Sequence, residues 1–161
     1  MMVTMIGKVA EAGETVTATV TIGTVSVTVS PTAFDYGTMP FSTVKESFDT
    51  TGEPLHNKNI SATVGTLVTD LDIKGAVTTG WTTLHLTAPG VNTYVHKFGT
   101  STSEIIRPSS YAGLTTGFDT VLAADVAADG VVWFGLQILT PTSGVTTQQS
   151  AAVTLRATWS Q

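Results

Sequence analysis

The sequence predicts an all-β fold, a single antiparallel sandwich domain carrying an N-terminal β-arm. Three observations predict it. Apolar residues alternate with polar ones in several short runs, the period of a half-buried strand. Gly, Pro, Asn and Asp punctuate the chain between those runs. No stretch keeps a 3.6-residue apolar period with capping residues at its ends. The chain has 161 residues, the size of one domain or one domain plus an arm. Residues 1–23 read as the arm and 24–161 as the sandwich.

The first fourteen residues, with Gly7 and Gly13, have mixed polarity. Strict alternation begins at Thr15, with Val16, Ala18, Val20 and Ile22 on one face and threonines on the other. After Gly23 the apolar positions become Val25, Val27 and Val29, so the parity changes. A one-residue slip sends every side chain to the opposite face. Gly23 therefore marks either a bulge or a break between two strands, and residues 15–22 need not share a sheet with 24–30. Pro31 stops the second strand, since proline cannot donate to a ladder. A loop holding Pro40, Gly52 and Pro54 follows.

Strand-like runs come next at Ile60–Thr66, Leu67–Ile73, Trp81–Thr87 and Thr93–Phe98. Residues 108–118 read as a Pro/Ser/Gly loop with a short helical turn at Ser109–Leu114. Val121–Val126 is a weaker strand, ended by the turn pair Asp129-Gly130. Val131–Leu139 is the best strand, with Val132, Phe134, Leu136 and Ile138 on one face and Val131, Trp133 and Gln137 on the other. After the turn Pro141-Thr142-Ser143-Gly144, a last strand runs through Val153, Leu155, Ala157 and Trp159. The predicted core is Val27, Val29, Phe34, Leu84, Leu86, Phe134, Leu136, Ile138, Val153 and Leu155, the apolar members of these runs.

The opening Val27-Thr28-Val29-Ser30-Pro31-Thr32-Ala33-Phe34-Asp35-Tyr36-Gly37 resembles the start of immunoglobulin-like modules of the hydin and major-sperm-protein type. Those modules begin with a strand, Ser-Pro, an aromatic or Leu, and then Asp-aromatic-Gly. The closing Val153–Thr158 is similar to a last sandwich strand. The resemblance implies an immunoglobulin-like antiparallel β-sandwich over roughly residues 24–160. It implies a scaffold, adhesion or assembly part rather than a catalyst.

Charge narrows the function classes. Hydrophobic residues make up 42% of the chain and charged ones only 12%, with seven Lys and Arg and a net charge of −5. A basic patch that tracks phosphates is not expected, so nucleic acid is not expected as a partner. Without cysteine there are no disulfides and no thiolate metal ligands. No run approaches the ~20 apolar residues of a membrane-spanning helix. The start, Met1 to Lys8, lacks a basic segment followed by an apolar one and so does not read as an export signal. Threonine-rich strands such as 15–21 give a surface that is polar but uncharged, which suits contact with copies of the same chain.

The chemical constellations are sparse. His56, His85 and His96 show no ligand spacing, although His85 and His96 lie on neighbouring candidate strands and are able to face each other. Asp70 and Asp72 share one strand face, and Asp125 and Asp129 flank a turn; neither pair matches a Ca²⁺ loop. The serines lack a nucleophile elbow, and the glycines form no phosphate loop. Asn59-Ile60-Ser61 fits a glycosylation sequon. No catalytic residue, metal or cofactor is therefore expected. Trp133 lies opposite the apolar face of its strand, where it either stacks on a sugar, anchors an interface, or sits under the arm or a loop.

These readings converge on a non-enzymatic structural subunit of a repeating surface assembly. Its expected partners are copies of itself, with a capsid or other surface scaffold as a further one. Two forms are open: a virion component, such as a capsid decoration or tail protein, and an extracellular filament subunit. The absent export signal favours the virion form. A carbohydrate-binding or adhesion module is the alternative, resting on the tryptophans. The expected interface residues are Val16, Ala18, Val20, Ile22 and Trp133, with Thr15–Ile22 adding a strand to a neighbour's sheet edge.

Overall fold

Strand-forming residues in short alternating runs give two stacked sheets in the computed structural model, which describes residues 23–51 and 54–160, and their pairings are antiparallel except for a short parallel one of Thr83 and Leu84 with Thr93 and Tyr94. The arm residues 1–22 lie outside the described residues. The strands are β1 (Val27–Ser30), β2 (Val44–Glu46), β3 (Ile60–Val64), β4 (Thr69–Gly75) and β5 (Thr83–Leu84). They continue with β6 (Thr93–Ser101), β7 (Ala112–Gly113), β8 (Thr120–Val126), β9 (Val131–Leu139) and β10 (Val153–Trp159). One sheet runs β1-β3-β9-β6-β5, with β2 added to β9 and β7 to β6; the other runs β10-β4-β8. The chain is an all-β sandwich.

The strongest alternating run becomes the central strand. One edge of β9 carries β6, with Val95 opposite Leu139 and Phe98 opposite Leu136. Its other edge is shared: β3 pairs with Val131–Phe134 and β2 with Gln137–Leu139. Between those two partners a 3-10 turn at Ser47–Asp49 intervenes, and the Leu136 N–H donates to Ser47 Oγ at 2.9 Å. A buried backbone donor on a central strand must find a partner, and here a side chain supplies it.

The core lies between the sheets. Leu71 and Ile73 of β4 and Leu122 of β8 face Ile60, Ala62 and Val64 of β3, Phe98 of β6 and Phe134 and Leu136 of β9. Of the expected core, Phe134, Leu136 and Ile138 are buried. Val27, Val29, Phe34, Leu84, Val153 and Leu155 pack against the core while half-buried. Leu86 is a correction, because it is 48% exposed. Strand β5 stops at Leu84, and the His85 ring takes the N–H groups of Thr87 and Ala88 at 3.2 and 3.1 Å. That turn carries Leu86 outward and shortens the strand expected over Trp81–Thr87.

A second correction concerns 109–114, where no helical turn forms. Ala112 and Gly113 pair instead with Phe98 and Lys97. The approach depends on glycine. Gly99 and Gly135 face each other across β6 and β9, and a Cβ at Gly99 would lie 2.1 Å from the Ser110 carbonyl oxygen. Only a residue without a side chain lets the 102–111 segment lie on the outer face of the sheet.

Candidate functional site

The apolar faces of β1, β9 and β10 do not close completely on one another. A cavity of about 1400 Å³ opens between β1, at the end of one sheet, and β10, at the end of the other. Its floor is Ile60, Phe134, Leu136 and Ile138, and its walls are Val27 and Val29 from β1 and Val153 and Leu155 from β10. The alternation read in the sequence explains the lining, since each strand turns its apolar side inward. Both flanking strands have one partner among the described residues: β1 pairs only with β3, and β10 only with β4. Among the described residues, each therefore has one edge of backbone donors and acceptors without a partner strand beside the cleft.

Two loops form the rim. Residues 31–41 follow Pro31, and residues 145–152 precede β10. The second loop is held by its own polar side chains. Gln149 Oε1 accepts from the Thr78 hydroxyl and the Gly80 N–H at 2.7 and 2.8 Å, and Trp81 Nε1 donates to the Val145 carbonyl at 3.2 Å. Asn92 Oδ1 accepts the Val145 N–H at 2.8 Å.

One end of the cleft is aromatic. Trp81 packs on Tyr94 with ring centroids 5.5 Å apart, and Tyr94 packs on His96. The Tyr36 hydroxyl pairs with His96 Nε2 at 3.3 Å. Burial lowers the His96 pKa to about 4 and pushes Tyr94 up to about 12. Tyr36 is raised well above its usual value, first by burial. At neutral pH the imidazole and both phenols are uncharged. The cleft thus has apolar inner walls, an aromatic end with neutral polar groups, and a polar rim that includes Asp35, Thr147 and Gln148.

The structure separates most groups singled out in the sequence. His85 is occupied by its own turn and does not meet His96. Asp72 accepts from Arg156 Nε and Nη2 at 3.1 and 2.7 Å, and Asp70 accepts the Asp125 N–H at 2.8 Å. Among the described residues, no three His, Cys, Asp or Glu side chains cluster as metal ligands would. Asn59 is buried and its amide donates to the Ser103 and Ile106 carbonyls at 2.8 and 2.6 Å, so the sequon is not open to a glycan. Of the expected interface residues, Val16, Ala18, Val20 and Ile22 lie outside the described residues. Trp133 is half-buried beside Pro54, Leu55, Lys58 and Glu104. Trp159, on the free-edged strand β10, is the more exposed at 59%.

The outer face carries a polar cluster that the sequence does not announce. Arg107 donates to Glu46 and Asp49 and lies over the Phe48 ring. The Tyr111 hydroxyl and the Gln137 amide donate to the two oxygens of Glu46 at 3.0 and 3.2 Å. These groups staple the 102–111 segment to the sheet. Their partners lie tens of residues apart in the chain, and no local pattern announces them. No family model, no curated protein and no solved structure matches this chain.

Proposed function

We propose that the chain is a non-enzymatic structural subunit of a repeating surface assembly. One observation carries this reading: an apolar-walled cleft between the sheets, flanked by two strands that each have a single partner among the described residues. Free edges beside exposed apolar surface are an aggregation hazard unless an assembly consumes them. The low charge and the threonine-rich strands support the same reading, because little desolvation opposes contact between copies. The immunoglobulin-like assignment within the sandwich class rests on the opening motif, whose relatives act as scaffolds. Two forms fit, a virion component such as a capsid decoration or tail protein, and an extracellular filament subunit.

The test is the state of the purified full-length chain. Electron microscopy and sedimentation should find ordered particles or fibres that grow with protein concentration. A chain that stays monomeric over the whole accessible range overturns the proposal, and glycan binding by that monomer would place it among adhesion modules.

A further inference from the structure

The cleft has a definite shape and a candidate occupant within the chain. We infer that residues 15–22 of a second copy insert as a strand between β1 and β10, completing the sandwich of their neighbour. The inference rests on the assembly reading above and names its contact.

Four observations support it. The first is complementarity of pattern. Residues 15–22 carry no charge and place Val16, Ala18, Val20 and Ile22 on one face. The cleft offers Val27, Val29, Phe134, Leu136, Val153 and Leu155. An inserted strand turns its four apolar side chains onto that surface and its threonines to solvent. The second is length. Eight extended residues span ~27 Å at ~3.4 Å each. The free edge of β10 runs for seven residues, Val153–Trp159. The third is backbone demand, since a strand placed there can pair with an edge that has no other partner among the described residues.

The fourth observation is the direction in which the chain leaves its own domain, and it favours a second copy over the same chain. Val27 lies opposite Val64 in the β1–β3 ladder. The ladder does not stop there. The Gly65 N–H donates to the Ser26 carbonyl at 3.0 Å, and the Thr24 N–H donates to Thr66 Oγ1 at 2.9 Å. Residues 24–26 thus continue β1 backwards, past the end of β3. Gly23 then lies against Leu67, where a Cβ would fall 2.3 Å from Leu67 Cδ2. Strand β10 finishes at this same end, with Trp159 opposite Thr69 and the Ser160 N–H donating to the Val68 carbonyl. Traced backwards, the chain is therefore leaving the cleft when it reaches Gly23. Entering its own cleft would need a reversal at that point. A strand that keeps going instead reaches a neighbour.

The chain has no cysteine, so introduced thiols report this contact cleanly. Full-length Val20→Cys would serve as donor and full-length Leu155→Cys as acceptor, with Val29→Cys as a second acceptor should Leu155→Cys fold poorly. The two are mixed, allowed to assemble and oxidised, then read by non-reducing electrophoresis and mass spectrometry. The expected result is a disulfide between donor and acceptor chains, formed several-fold less with Thr19→Cys, whose side chain faces solvent. If the mixture gives no link but a Val20→Cys/Leu155→Cys double variant closes within one chain, the segment fills its own cleft and the inference is overturned. Particles that form with no link in any pairing overturn it too, while leaving the assembly reading intact. Absence of both particles and links sinks the assembly reading itself.

Discussion

His96 shows how one residue's environment sets a measurable property. Its ring is buried, and Nδ1 has no hydrogen-bond partner among the described residues. Burial holds the folded-state pKa at about 4, against 6.5 in the unfolded chain. Above pH 6.5 both states hold the imidazole neutral, and the group has no effect on stability. As pH falls from 6.5 to about 4, the unfolded chain takes up a proton that the folded one refuses, so stability drops. The full loss is about 3 kcal/mol for a shift of this size. Urea unfolding of wild type and His96→Gln at pH 7 and pH 4 should therefore give curves whose stability gap narrows towards acid. Parallel losses in both proteins would show that His96 titrates normally. Tyr94, His96 and Phe98 alternate along one strand face in the sequence, and the structure buries all three, although none belongs to the core expected from the sequence. The neutral Tyr36 partner, sixty residues away, was not legible.

Among the strands, expected and observed bounds agree best where alternation is long. The expected bounds of β9 and β10 match the structure because each repeats its apolar position at least four times. Strand β2 was missed, since Val44-Lys45-Glu46 is too short and too polar to show a period. Strand β6 runs on to Ser101 through Gly99, Thr100 and Ser101, where pairing with β9 replaces apolar patterning as the determinant. The helical turn expected at 109–114 failed for a related reason. Local turn residues were read without the Gly99–Gly135 platform that draws the segment flat onto the sheet. Gly99→Ala tests that platform. The new methyl would collide with the Ser110 carbonyl and with Pro108, so a loss of ~1–3 kcal/mol is expected in chemical unfolding. A neutral substitution would mean that the 102–111 segment sits on the sheet without needing the close approach.

For the whole molecule, the residues of the cleft were legible and the cleft was not. Val27, Val29, Phe134, Leu136, Val153 and Leu155 all read as inward-facing from alternation alone. That β1 and β10 end different sheets, and leave an opening between them, depends on pairings between residues far apart in the chain. The parity change at Gly23 points to a segment out of step with its successor, and the hydrogen bonds of Thr24 and Ser26 carry the described chain past the end of β3. On the assembly proposal, the cleft is the surface through which copies join. Sedimentation of full-length Leu155→Asp beside wild type tests it most directly. A carboxylate on the cleft wall would have to be desolvated by any apolar occupant, while in the isolated chain the half-buried position keeps it in reach of water. The variant should keep its β-sheet circular dichroism and sediment as a monomer at concentrations where wild type assembles. A folded variant that assembles as readily as wild type would contradict it.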